Sequence, residues 1–376
     1  MSLSGGALDD AGAIARTDRS GMIVQVAGIP GQIRDAWARS RSLDLPGRHG
    51  QARGVAVLGM GGSAIGGELV RATWSDRLRV PVEVIRGYEL PAWVTPDVLV
   101  VASSCSGATE ETLAAVEVAF TRRCPVAVIT TGGPLGAVAT KASLPLLAFP
   151  AGGQPRASVG YSMLLLAGLL ERAGVLALDD AEVEAAATAG DAALAAWGPD
   201  VPTESNPSKQ LAWSLLDRLP VITGSGPLAA VARRWKTQLN ENAKTMAVWE
   251  ELPEADHNTI VGYPQPESTT DHQLHLFLAS AADHPRVTLR AELTAELLTE
   301  NGIASQTVRV PGDSRLEQVV TGIILGDLVS TYLAVLYGTD PTPVDAITRL
   351  KASLADPGDE VGEGTADPTT EESDPA

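Results

Sequence analysis

The sequence predicts an α/β fold in two halves, each a mostly parallel sheet flanked by helices. Three observations carry that expectation. Strand-length apolar runs alternate with helix-length segments between Val55 and Phe149, the pattern of βαβ units. Several runs are apolar throughout, as strands covered on both faces require. The order apolar run, Gly/Ser loop, helix then recurs beyond residue 200, where Leu219-Pro220-Val221-Ile222-Thr223 leads into Gly224-Ser225-Gly226.

The elements follow in order. Ile29-Pro30-Gly31-Gln32-Ile33 opens a helical pattern that includes Trp37. Strands are expected at Val55–Leu58, Val82–Ile85, Val98–Ala102, Val126–Ile129 and Leu144–Phe149, with helices from Ala64 and from Thr109 to Arg122. An alanine-rich helical stretch spans Val159 to Trp197, and Gly198-Pro199-Asp200-Val201-Pro202 breaks it. Beyond lie a long helix from Pro227 toward Lys244, strands at Leu274–Leu278 and Thr307–Val310, and a helix from Leu316 to Leu336 that is nearly all apolar on one face. The organisation expected is a flexible N-terminus (1–22), a first domain with an N-terminal helix (23–200), a second with a C-terminal helix (201–354) and a disordered acidic tail (355–376).

Composition narrows the function. A chain of 376 residues, 44% of them hydrophobic, can bury a substantial core. Its net charge of −18 argues against a nucleic-acid surface. Part of that charge sits between Asp356 and Asp374, where eight acids occur without a Lys or Arg; such a tail is solubilising. Cys105 and Cys124 cannot make a disulfide framework, and neither a signal peptide nor a membrane-length apolar run is read from the sequence, so a cytoplasmic protein with no membrane partner is expected.

Two serine-bearing loops point to a phosphorylated small molecule. Gly59-Met60-Gly61-Gly62-Ser63 and Ser104-Cys105-Ser106-Gly107-Ala108-Thr109 each join an apolar run to a helix. The glycines, Gly61 and Gly62 among them, let the backbone turn so that helix amides face an anion. Ser63, Ser104, Ser106 and Thr109 add hydroxyl donors without a lysine, which suits a sugar phosphate better than a nucleoside triphosphate. Taken singly, Ser63 or Thr109 could be a helix N-cap, and Cys105 a small space-filling thiol. The first loop, closed by Ala64, also fits a dinucleotide fingerprint, with Glu83 downstream as a ribose-binding acid. Glu83 lies inside the expected strand and not at its end, and the hydroxyl-rich second loop has no place in that fingerprint.

The second half holds Asn240-Glu241-Asn242-Ala243-Lys244 and the Pro-interrupted stretch from Glu250 to Asn258, which contains His257. A carboxylate at a helix end and a loop histidine are the types needed for proton transfer beside a carbonyl. Composition alone favours reading both as solvated surface groups. His272 and His275 fall on opposite faces of a strand, and no Cys/His/Asp cluster has ligand spacing, so no metal is expected.

Taken together, these residues resemble the sugar isomerase (SIS) domain proteins, and among them the two-domain bifunctional phosphoglucose/phosphomannose isomerases. The resemblance covers Gly59–Gly67, Ser104–Thr112, Pro155-Arg156, Asn240–Lys244, Leu252-Pro253-Glu254 with His257-Asn258, and Gly326-Asp327 through Asp340-Pro341 to Leu350-Lys351. It implies two SIS-type subdomains and an aldose–ketose isomerase that interconverts glucose 6-phosphate and/or mannose 6-phosphate with fructose 6-phosphate, without a cofactor. It implies that Ser63, Ser104, Ser106 and Thr109 hold the phosphate, that Arg156 steadies the substrate and enediolate, and that Glu241 is the base between C1 and C2. His257, supplied across a homodimer with shared active sites, and Lys351 would assist ring opening. Where the family loop reads Ser-Tyr-Ser-Gly-Asn-Thr, this chain has Cys105 and Ala108. The hydroxyl associated with mannose activity falls on Thr342, or the alignment places Val344 there. A non-catalytic sugar-phosphate sensor and an isomerase of another phosphorylated sugar are the alternatives.

Overall fold

The computed structural model describes residues 6–355. Three helices, α1 (Ala11–Thr17), α2 (Met22–Ala27) and α3 (Ile29–Arg41), come first. The expected flexible N-terminus is therefore corrected for residues 6–22. Leu8 and Ile14 are buried, and the Asp10 carboxylate caps α1 by accepting from the Gly12 amide. Asp9 accepts from the Thr203 amide and hydroxyl at 2.9 and 2.8 Å and pairs with Lys209 at 3.2 Å. Apolar residues are sparse in this stretch, and its partners lie far along the chain, so periodicity gave no sign of it.

The first sheet is built from β1 (Gly54–Leu58), β2 (Val82–Ile85), β3 (Val98–Ser104), β4 (Val126–Thr130) and β5 (Leu146–Ala148). Between them lie α4 (Gly61–Thr73), α5 (Glu110–Thr121) and α6 (Gly133–Lys141). All pairings are parallel, in the order β2-β1-β3-β4-β5, with Val55 beside both Val82 and Leu99. The order reverses at β1. In such sheets a crevice opens beyond the carboxyl ends of the strands on either side of the reversal, here β1 and β3, and both serine loops leave from those ends.

The helical stretch from Val159 to Trp197 is two helices, α7 (Val159–Arg172) and α8 (Asp180–Trp197), and α9 (Pro207–Leu215) follows. The second sheet contains β6 (Leu219–Ser225), β7 (Val248–Leu252), β8 (Gln273–Ala279) and β9 (Ala304–Arg309). These are parallel in the order β7-β6-β8-β9. The helices here are α10 (Pro227–Glu241), α11 (Pro285–Glu300) and α12 (Arg315–Leu336). Strand β7 was not expected, because Val248-Trp249-Glu250-Glu251-Leu252 is a half-exposed edge strand and not an apolar run. Helix α10 stops short of Lys244, which has a positive φ of 56°. A separate unit starts at Pro343 and holds α13 (Asp345–Ala355), on which Lys351 is exposed.

One core joins the two sheets. Val55, Val57, Leu99 and Val101 of the first sheet and Ile222, Leu274, Leu276 and Val308 of the second share a single apolar cluster with α3, α7, α8, α10 and α12. The alternate residues Ala56, Leu58, Val100 and Ala102 face the other way, onto Ala115, Val116 and Leu135 of α5 and α6. Period-two alternation with both faces covered accounts for the unbroken apolar runs. Helix α12 corrects the reading that no membrane-length run is present: its 22 residues are long and apolar enough to cross a bilayer, yet 94% of its most apolar window is buried inside the protein. It is a core helix.

His275, on the central strand β8, is fully buried, with Nε2 2.9 Å from Gln273 Oε1 and the Tyr263 ring edge-on at 4.5 Å. Burial pulls its pKa down from 6.5 to about 4. The unfolded chain binds the proton first as the pH falls, so stability present above pH 6.5 is lost between there and about pH 4. The His275 contribution to that loss is about 3 kcal/mol. Urea titrations across this range should show a shallower decline for His275→Gln than for the wild type.

Candidate active site

The first loop is a tight turn. Gly61 begins α4 with φ +49°, and the Ser63 and Ala64 amides close back on the Met60 carbonyl at 3.1 and 3.3 Å. Among the described residues this leaves the Gly61 and Gly62 amides as open donors at the helix start. Met60 occupies the cap position and its side chain makes no capping bond, so the N-cap reading of Ser63 does not hold. Ser63 sits inside the first turn, at the edge of burial.

The second loop is braced by its own hydroxyls. Ser104 Oγ lies 2.8 Å from Thr109 Oγ1 and accepts from the Gly107 amide at 3.1 Å, while Ser106 Oγ accepts from the Ala108 amide at 3.2 Å. Thr109 stands at the N-cap of α5 yet makes no capping bond, its hydroxyl being turned to Ser104. Only glycine serves at position 107, where φ is +65° and a Cβ would lie 1.9 Å from the Gly132 oxygen. Ser106 is exposed, and Cys105 is half-buried with its thiol pushed up by burial, which works against a nucleophilic thiolate.

Arg156 lies on a short 3-10 turn, Pro155–Ala157, against which Gly62 is pressed: a Cβ at Gly62 would stand 2.9 Å from the Pro155 oxygen. The Arg156 side chain is 4% exposed. Its Nε donates to Asn242 Oδ1 at 2.7 Å, and Nη2 donates to the Pro341 and Thr342 carbonyls at 2.8 and 2.9 Å. Nη1 donates to Gln154 Oε1 at 3.2 Å and, at a longer 3.4 Å, to Glu241 Oε2. All the guanidinium donors are engaged. Burial pulls the Arg156 pKa down, while Glu241 and Asp327 hold it up.

Glu241 is the last residue of α10, and its side chain is 31% exposed. The backbone around it is tied by Lys244, whose Nζ donates to the Glu241 carbonyl at 2.6 Å and to the Pro341 carbonyl at 3.0 Å. Beneath lies a buried ion pair, Arg234 to Asp327 at 2.5 Å, and Arg234 Nη2 also donates to the Arg156 carbonyl at 2.8 Å. Asn242 Nδ2 reaches Ser330 Oγ at 3.0 Å. Sequence reasoning quoted Asn242 and Asp327 within motifs without assigning them a task, and passed over Gln154 and Arg234. A buried arginine needs acceptors for every donor, and the side-chain oxygens next to Glu241 were the available signal.

The structure therefore joins Ser63, Gly61 and Gly62 through the 155–157 turn to Arg156 and Glu241. Ser104, Ser106 and Thr109 stand at the neighbouring strand end. His257 is not part of this group: it ends an exposed 3-10 turn, Glu254–His257, after the edge strand β7, and among the described residues it has no hydrogen bond to Glu241 or Arg156. Its neighbour Asp256 is held by Arg290 and Thr294 of α11 at 2.9 and 3.0 Å. The arrangement offers an anion cradle of amides and hydroxyls, and beside it a carboxylate paired with a buried cation.

A family model described as the bacterial phospho-glucose isomerase C-terminal SIS domain matches residues 204–354. The bifunctional phosphoglucose/phosphomannose isomerase of Caldicellulosiruptor bescii is 38% identical over 342 residues, spanning 89% of this chain and 99% of that protein. Its Aquifex aeolicus counterpart is 34% identical over 80% of this chain and 90% of its own. Among solved structures, a hypothetical protein of Thermus thermophilus superposes with a TM-score of 0.72 at 18% identity, covering 92% of this chain and 93% of that one. The tagatose-6-phosphate ketose/aldose isomerase of Escherichia coli does so with a TM-score of 0.59 at 16% identity, over 91% and 95% of the two chains. These two likenesses concern the fold.

Asp327→Ala would strand the Arg234 charge in the core and should cost about 3–5 kcal/mol of stability. Asn242→Ala, which orphans the Arg156 Nε–H and removes the bond to Ser330 Oγ, should cost about 1–3 kcal/mol. Denaturant midpoints of the two variants check that ranking.

Proposed function

Because the chain belongs to the bifunctional phosphoglucose/phosphomannose isomerase family, we propose that it interconverts glucose 6-phosphate and/or mannose 6-phosphate with fructose 6-phosphate through a cis-enediol. The pairing of Glu241 with the buried Arg156, one glycine contact away from the phosphate-type loop, carries this reading. In it the 6-phosphate is held by the Gly61 and Gly62 amides and by the hydroxyls of Ser63, Ser104, Ser106 and Thr109. Glu241 takes the proton from C2 of the open aldose and returns it to C1. Arg156 stabilises the charge that develops on the oxygens, from a position that needs no reorganisation during the reaction.

Ring opening needs a further acid and base, and the reading gives them to His257 of the partner subunit in a homodimer and to Lys351. The exposure of His257 and its separation from Glu241 within one chain support supply across an interface. Thr342 bears on mannose 6-phosphate: its carbonyl is bonded to Arg156, while its buried hydroxyl has no hydrogen-bond partner among the described residues. The reading keeps a boundary near residue 200 between two SIS-type domains, assigns no metal or redox cofactor to the reaction, and places the enzyme in the cytoplasm, where two free cysteines are at home.

Proton NMR of the protein with fructose 6-phosphate in deuterated water tests the proposal. An aldose labelled at C2 is expected, both aldoses marking a bifunctional enzyme and glucose 6-phosphate alone a narrower one; saturable binding without exchange would make the protein a sensor. Glu241→Gln should lower kcat roughly 10²–10⁴-fold with substrate binding retained, and wild-type turnover in that variant would refute the base assignment. Ser106→Ala should weaken phosphate binding roughly tenfold or more, through one lost bond to a charged group, read as KM.

A further inference from the structure

The turn that carries Arg156 is gripped from the start of the chain. Gln25 of α2 accepts from the Gln154 amide through Oε1 at 2.7 Å, and Gln32 of α3 donates from Nε2 to the Ala157 carbonyl at 2.8 Å. The two bonds close on the backbone on either side of Pro155-Arg156, across 129 and 125 residues of sequence. Glycines make room for both side chains. A Cβ on Gly153, where φ is +69°, would stand 2.5 Å from Gln25 Oε1, and a Cβ on Gly160 would stand 2.7 Å from Gln32 Cβ.

Each glutamine meets a backbone group that secondary structure leaves unpaired. A third such group, the Arg156 carbonyl, accepts from Arg234, so α2, α3 and α10 each hold one backbone atom of the turn. The Arg156 guanidinium is bonded to Asn242 and to the Pro341 and Thr342 carbonyls, all in the second half of the chain. With its tip held there, the braces from α2 and α3 set where its base stands. Gln25 also fixes the residue whose side chain shares Arg156 Nη1 with Glu241, since Gln154 Oε1 accepts at 3.2 Å and Glu241 Oε2 at 3.4 Å.

We propose that Gln25 and Gln32 are positioning residues for the isomerisation. They act through Arg156, holding its guanidinium in register with Glu241 and the developing enediolate. This assignment rests on the isomerase reading of Arg156; the bracing of the turn does not.

The two bonds have opposite polarity, and that provides the test. Gln25 serves as an acceptor, so Gln25→Glu keeps its function, whereas Gln32 serves as a donor, which neither Gln32→Glu nor the uncharged Gln32→Met can replace. Gln25→Ala and Gln32→Met should each lower kcat roughly tenfold, with KM changed less than about twofold because the phosphate-type loops are untouched, and with circular dichroism unchanged. Gln25→Glu should turn over within about twofold of the wild type, and Gln32→Glu should be as impaired as Gln32→Met. Hydrogen exchange at the Gln154 amide should be fast in Gln25→Ala and slow in the wild type and in Gln25→Glu. Full kcat in both Gln25→Ala and Gln32→Met, a loss confined to KM, or a Gln25→Glu variant as slow as Gln25→Ala would overturn the proposal. A wild type that exchanges as expected yet isomerises nothing would sink the isomerase reading and with it the positioning role, while the brace would stand.

Discussion

The ion pair between Arg234 and Asp327 is the constraint on which the rest of the site depends. Both side chains are 1% exposed and 2.5 Å apart. Burial pushes the Asp327 carboxyl above its ordinary range, and Arg234 works against that shift, so each group depends on the other for its place in the core. Arg234 also donates to the Arg156 carbonyl. A helix of the second half thereby holds the turn that displays the guanidinium of the first. Trp235, the next residue of α10, donates from Nε1 to the Gly322 carbonyl of α12 at 2.8 Å, which locks the helix bearing Glu241 at its end.

Two kinds of polarity are kept apart around this node. The phosphate-type loops use neutral donors: amides at the start of α4 and hydroxyls that bond one another at 2.8 Å. The full charges are concentrated at Arg156 and Glu241, where a proton would move. Since Arg156 already has acceptors for all its donors, it acts on its surroundings chiefly as a held positive charge, and the long 3.4 Å contact to Glu241 is the weakest of its bonds.

Much of this was legible in the sequence, for local reasons. The strands of the first half were readable because parallel strands covered on both faces leave continuous apolar runs, and the two serine loops because glycines and hydroxyls interrupt those runs at fixed places. What stayed hidden was long-range or exposed. The bonds from Arg156 to Asn242 and Thr342 span 86 and 186 residues, and no periodicity encodes them. Strand β7 escaped notice because its residues are half-exposed at a sheet edge. The start of the chain looked loose because its stabilising partners, Thr203 and Lys209, lie in the second half. His257 was recognised by its motif, yet its place apart from Glu241 could come only from the fold.

Helix α12 has a consequence for how the chain is made. By composition it is indistinguishable from a bilayer-spanning segment, and while unburied it would present that surface to chaperones, membranes or other nascent chains. The helices that pack on it, α1, α2, α4, α8, α9 and α10, all precede it in the chain. Synthesis runs from the N-terminus, so its burial partners have left the ribosome before it emerges, and the order of the elements shortens the interval in which this segment is uncovered.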